Sequence, residues 1–148
     1  AGVRGIEDLK RAGLRIGLAH PEKSALGHLT ELLLEERGEL EAIRDSGTWV
    51  QEAPQGDFLV NALRTGALDA AIVYASNAAE SLDVLEVIEL DTGSITARQP
   101  WAIARSSDHR RTLERLHAAL VDARSADRFR ALGFTWLRPT ESVEAAVE

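Results

Sequence analysis

Two short loops in this chain lead small residues into the start of a helix, an arrangement that can hold an anion without any basic side chain. The first, Pro21 to Gly27, follows the apolar run Leu14-Arg15-Ile16-Gly17-Leu18-Ala19, and the second, Pro54 to Gly56, follows Trp49-Val50. Helix starts carry N–H groups with no intrahelical acceptor and a partial positive charge. Tyr74, closing the apolar run Asp69 to Tyr74, would add a phenolic O–H donor on the same side. In an open parallel sheet, ligands sit beyond the carboxyl ends of the strands, where these loops lie. Glycine-containing loops precede helices in every α/β protein, and Ser24 alone suits a helix cap better than a ligand. The pattern leaves a plain structural turn and an anion cradle both open.

Other chemistries find less support. His20, Glu22 and His28 share one loop, but no helical spacing aligns them and no Cys or later His completes a metal set. His109 and His117 stand eight apart, too far to share a ligand. Glu35-Glu36 falls on the polar side of a helix, which disfavours general acid/base work. The chain has no Gly-x-Ser-x-Gly elbow, Gly-Lys-Ser/Thr phosphate loop, His-Glu-x-x-His or Gly-x-Gly-x-x-Gly. No enzyme is expected, and no metal or cofactor.

These positions need elements to hold them. Ile6 to Ala12 reads as a short helix and Leu14 to Ala19 as a strand, which Pro21 stops by biasing His20 away from helical angles. Leu29, Leu32, Leu33 and Leu34 form an apolar stripe at helical spacing, ended by Gly38. Glu39 to Asp45 is a second short helix, and Trp49-Val50 opens a strand. Asp57 is placed to cap a third helix with Phe58, Leu59, Ala62 and Leu63 inward, ended by Gly66. Asp69 to Tyr74 and Val84 to Ile88 read as strands, the former buried. Ile95 to Ala104 is extended, Arg110 to Ala123 is an amphipathic helix, and Ala126 to Leu132 is a shorter one. Residues 139–148 are acidic and predicted to fray. Strands alternating with helices predict an α/β fold on a largely parallel sheet. A seam falls at Asp91-Thr92-Gly93-Ser94.

The 148 residues carry 17 Lys+Arg against 24 Asp+Glu, a net charge of -7, so no basic stripe for nucleic acid is expected. Arg110 and Arg111 sit among Asp108 and Glu114 and read as a solvated face. With no Cys, disulfides and thiolate chemistry are excluded. No apolar run approaches the ~18 residues of a membrane span. There is no Met and no signal peptide, and Ala stands first, which fits either a processed N-terminus or a truncated chain, so the missing export signal carries little weight.

Several stretches, in order, resemble the periplasmic molybdate/tungstate-binding proteins, solute receptors of ABC importers. Gly5-Ile6-Glu7-Asp8-Leu9 and Gly13-Leu14-Arg15-Ile16-Gly17-Leu18-Ala19-His20-Pro21-Glu22 resemble that family's entry segment. Ala25-Leu26-Gly27 falls where the family has a small residue before Gly at a helix start. Asn61 to Tyr74 is similar to its "G-x-x-D-A-G-I-V-Y" segment, and Ala75-Ser76-Asn77-Ala78 to its "x-S-D-A". Ala126-Asp127-Arg128-Phe129 and Leu132-Gly133-Phe134 resemble its closing helix and "Y-G-F" ending.

The resemblance implies a type II periplasmic-binding-protein fold, with only the later portion of a member present. Residues 1–91 would be a complete three-layer αβα second lobe, residues 92–138 a returning strand and helices of the first, and residues 139–148 a tail. It implies an exported receptor for a small tetrahedral oxyanion, molybdate or tungstate, closing by a hinge and delivering to an ABC importer permease. No nucleic-acid partner and no direct membrane insertion are implied. The ligand contacts carry over to the backbone N–H groups of Leu26 and Gly56 and the Tyr74 hydroxyl, with Ser24 and Ala25 in the same loop. Leu26 replaces a smaller residue, His20 stands where Asp or Asn is commoner, and the Asp57 carboxylate would repel an anion unless it points away. The isolated chain is expected to bind weakly, lacking the first-lobe donors. Rival expectations are a sensor domain of a LysR-type transcriptional regulator, which reuses the fold, and a degenerate binding domain of a larger exported protein.

Overall fold

A computed structural model describes residues 2–137, which divide into two compact units with the boundary between Ala97 and Arg98. The acidic segment 139–148 lies outside the described residues.

The first unit is built on three parallel strands, β1 (Ile16–Ala19), β2 (Trp49–Ala53) and β3 (Ala70–Ala71), in the order β2-β1-β3. Between β1 and β2 lie α1 (Ala25–Glu36) and α2 (Leu40–Asp45), and between β2 and β3 lies α3 (Gly56–Arg64). The chain steps outward from β1 to β2 and then back across β1 to β3. Right-handed crossovers in opposite directions put their helices on opposite faces of the sheet. The side chains follow this rule. Ile16 and Leu18 point to one face and pack with Leu33 and Leu34 of α1 and with Leu40 and Ile43 of α2. On the other face a Cβ at Gly17 would lie 2.4 Å from Leu68 and 2.7 Å from Leu59 of α3. Glycine in β1 is therefore what lets α3 close on the sheet. A 3-10 turn at Ile6–Lys10 adds Ile6 and Leu9 to the first face, and the buried Thr48 hydroxyl ties it down by donating to the Leu9 carbonyl at 2.8 Å.

β1 and β3 are also joined at their entry by a forked ion pair. Arg15 donates through Nε and its backbone N–H to Asp69 Oδ2, both at 2.9 Å, and through a terminal nitrogen to Oδ1 at 2.8 Å. The side-chain hydrogen bonds from Arg15 draw the Asp69 pKa from 3.8 down to about 2. A carboxylate with a depressed native pKa contributes stability above its unfolded pKa and loses it as pH falls through the native value. The thermal midpoint should therefore drop between about pH 4 and pH 2 more steeply in the wild type than in Asp69→Asn. Parallel melting curves for the two across that window would show that the pair contributes nothing.

Several sequence expectations are corrected. The run Val84 to Ile88 is not a strand: Val84 and Val87 are exposed, because no neighbouring strand among the described residues offers it a hydrogen-bonding edge. The Asp69 to Tyr74 strand shrinks to Ala70–Ala71 and is half-buried, since β3 pairs on one side only. The first loop ends at Ser24, so Ala25, Leu26 and Gly27 are already the first turn of α1. The second is only Pro54 and Gln55, because β2 runs to Ala53 and Gly56 already begins α3. Gln55, not Asp57, is the N-cap of α3, and Phe58 is exposed while Val60 takes its inward place. Leu32 is exposed, whereas Leu26 and Thr30 join Leu33 and Leu34 on the inner stripe.

The second unit carries α5 (Arg110–Leu120) and α6 (Ala123–Ala131), which follow the short α4 (Ala75–Ala78) of the first unit. The expected helix to Ala123 stops at Leu120 because Asp122 caps α6, accepting the Ser125 N–H at 2.7 Å. Trp101 stacks on His117 with ring centroids 5.0 Å apart, and Phe129 packs edge-on against Phe134.

Candidate functional site

The strand order decides where a ligand could sit. In a sheet ordered 2-1-3, the loop leaving β1 turns to one face and the loop leaving β3 to the other, opening a crevice between their carboxyl ends. The first loop runs into α1, and the β3 loop runs through Ile72, Val73 and Tyr74 into α4, which contacts α3 on the opposite face. Leu26 is buried in a cluster with Ala19, Ala53, Leu59 and Leu68, against which Val73 and Tyr74 also pack. Leu26 and Tyr74 thus border the same apolar cluster, each just beyond the carboxyl end of its strand, β1 and β3 respectively. Gly56 opens α3 just beyond β2, whose last residue, Ala53, is the register partner of Ala19 in β1.

Each candidate donor has a specific local state. Ser24 is the N-cap of α1, and its Oγ accepts the Gly27 N–H at 3.4 Å. Ala25 and Leu26 occupy the first two helical positions, where an N–H has no intrahelical acceptor. The same holds for Gly56 in α3, which has no side-chain cap. Tyr74 is half-buried, and that burial raises its pKa above the usual 10, so the phenol keeps its proton at neutral pH. Leu26 sends its bulk into the packing cluster.

Two close approaches fix these helix starts. A Cβ on Gly27 would fall 2.3 Å from the His20 carbonyl oxygen and 2.6 Å from that of Ala19, so α1 lies directly against the end of β1. Gly56 is covered by Asn77, whose Oδ1 would be 2.5 Å from an added Cβ. Sequence reasoning passed over Asn77. Its local signal was present, because a side chain three residues into a helix can reach back to the cap backbone, and Asn77 Oδ1 accepts the Tyr74 N–H at 3.2 Å. Its second partner is twenty residues away: Nδ2 donates to Asp57 Oδ1 at 2.8 Å. This is where the Asp57 carboxylate points.

His20 and Glu22 are neighbours, the Glu22 N–H donating to His20 Nδ1 at 3.2 Å, with Glu52 3.9 Å from Nε2. Among the described residues no group of three His, Asp or Glu side chains is placed to hold a metal ion.

The family model for bacterial extracellular solute-binding proteins matches residues 1–135. The chain belongs to that family. Searches of curated proteins and of solved structures return no match. For this solute-binding protein the family supplies a substrate-binding role and an exported setting. The mixed α/β unit with its small parallel sheet agrees with such a domain. No helix of the described residues is long and apolar enough to cross a membrane.

Proposed function

We propose that this solute-binding protein receives a small tetrahedral oxyanion, molybdate or tungstate, and hands it to the permease of an ABC importer. The observation that supports the proposal is that Leu26 and Tyr74 border one apolar cluster beyond β1 and β3, with the α3 start tied to the Tyr74 turn through Asn77. The Leu26 and Gly56 N–H groups and the Tyr74 hydroxyl are the proposed donors, supported by Ser24 and Ala25 at the α1 cap. All are neutral, as suits a dianion that must be released again. Fixed N–H groups cannot retreat for a different anion, so size would set selectivity.

Calorimetric titration of the full-length protein with molybdate, tungstate and sulfate is the direct test, and an absence of heat with all three would remove the ligand assignment while leaving the family intact. Tyr74→Phe deletes one hydrogen bond to a charged group, worth about 1.5–3 kcal/mol. Affinity should fall roughly tenfold to a hundredfold. Unchanged affinity in Tyr74→Phe would take the phenol out of the site.

A further inference from the structure

Asn77 stands in none of the donor sets considered so far, yet it touches both the α3 start and the turn that bears the phenol. Its carboxamide accepts the Tyr74 N–H at 3.2 Å and donates to Asp57 Oδ1 at 2.8 Å. It also lies against Gly56, where an added Cβ would be 2.5 Å from Oδ1 and 2.7 Å from Cγ. Two demands meet at this one side chain. The Tyr74 N–H needs an acceptor, and the ionised Asp57 needs a donor. A carboxamide supplies both, whereas a carboxylate supplies only acceptors. Asp57 follows Gly56 in the first turn of α3, where the helix dipole draws a negative charge toward the N–H groups that an incoming anion would use.

We propose that Asn77 is a positioning residue for anion binding: it holds the α3 start against the Tyr74 turn and keeps the Asp57 carboxylate engaged, clear of the Gly56 N–H. The inference rests on the proposed oxyanion site. It predicts a dependence on the polarity of the Asp57–Asn77 pair, beyond any dependence on packing. Asn77→Ala removes both bonds. Asn77→Asp keeps an acceptor for Tyr74 but sets two carboxylates against each other. Combining Asn77→Asp with Asp57→Asn exchanges carboxylate and carboxamide and restores a donor–acceptor pair at unchanged net charge.

The experiment compares the full-length wild type with Asn77→Ala, Asn77→Asp and the exchanged double variant. It measures exchange of the Tyr74 amide hydrogen without anion, and affinity for sodium molybdate by calorimetry. Tyr74 is the only tyrosine of these 148 residues, and in the tyrosine-labelled full-length protein its amide signal is the one that Tyr74→Phe removes. Asn77→Ala should speed Tyr74 amide exchange by about tenfold or more, as expected for a lost hydrogen bond, and weaken molybdate binding. Asn77→Asp should leave that exchange slow yet weaken molybdate by about tenfold through like-charge repulsion, and the double variant should recover most of the loss. Equal molybdate affinity in all four proteins, whatever their thermal midpoints, overturns the proposal, as does a double variant no better than Asn77→Asp. A wild type that takes up no molybdate overturns the ligand assignment instead, and the exchange rates then decide whether Asn77 sets the Tyr74 turn.

Discussion

Gly27→Ala is expected to destabilise the first unit by about 3 kcal/mol, near the upper end of overpacking penalties. The new methyl group would sit 2.3 Å from the His20 carbonyl oxygen, 2.4 Å from its carbon and 2.6 Å from the Ala19 carbonyl oxygen. All three are backbone atoms at the end of β1, and they cannot swing aside as a side-chain tip would. Either α1 lifts from the sheet or β1 shifts, and His20 is bonded through its N–H to the Ala53 carbonyl at 2.9 Å. In a unit of this size each kcal/mol moves the melting midpoint by roughly 4–8 °C, so a loss of more than about 10 °C should be visible by calorimetry or circular dichroism. On the proposed oxyanion site, the same movement carries the Leu26 N–H out of place, and anion affinity should fall too. A Gly27→Ala protein that melts with the wild type would mean that α1 does not rest on β1 in this way. Ala is the better helix former, by about 1 kcal/mol, so local propensity predicts the opposite sign and the outcome separates the two effects.

Leu34→Ala should cost a comparable amount, about 3–5 kcal/mol in chemical denaturation. Leu34 is fully buried among Ile16, Leu18, Leu33 and Leu40. It also lines a small void of about 10 Å³ together with Leu18, Thr30 and Trp49. Among the described residues the Thr30 hydroxyl beside it is buried without a hydrogen-bond partner, and this one group falls short of the roughly two to four polar contacts that hold a buried water. Truncation at Leu34 therefore loses burial and leaves empty space. Leu32→Ala on the same helix is the control: Leu32 is 38% exposed and its removal should cost under about 1 kcal/mol. Equal losses at both positions would contradict the placement of α1's inner face.

That pair of leucines shows how far periodicity reaches. A stripe of Leu29, Leu32, Leu33 and Leu34 announces a helix, because apolar residues at such spacing cannot all face water. Which of them turn inward depends on where the sheet lies, and here Leu26 and Thr30 take the inner row while Leu32 does not. Val84 to Ile88 shows the opposite limit. Its composition suits a strand, but a strand exists only where another offers its edge, and residue order says nothing about that. Phe58 is exposed for a related reason: the inner side of α3 is set by its closure on Gly17, fixed by Leu59 and Leu68.

For the candidate site, the helix starts at Ser24 and near Gly56 were legible from local signals: a capping serine, small residues and a preceding apolar run. So was Tyr74 as the end of a third apolar run. The bond between Asn77 and Asp57 was not, since twenty residues separate them and neither is unusual alone.

By itself, then, the amino-acid order determined the alternation of helix and strand from β1 to β3, the absence of thiol chemistry, the acidic balance and the positions of the glycine-marked helix starts. Each of these follows from properties that a residue carries into any environment: backbone freedom, charge, or apolar area repeated at a regular interval. Tertiary structure decided the 2-1-3 strand order, the opposite faces of α1 and α3, the inner rows of both helices and the carboxamide that joins α3 to the Tyr74 turn. Those depend on contacts between residues far apart in the chain, where a partner's position rather than a residue's own preference sets the energy.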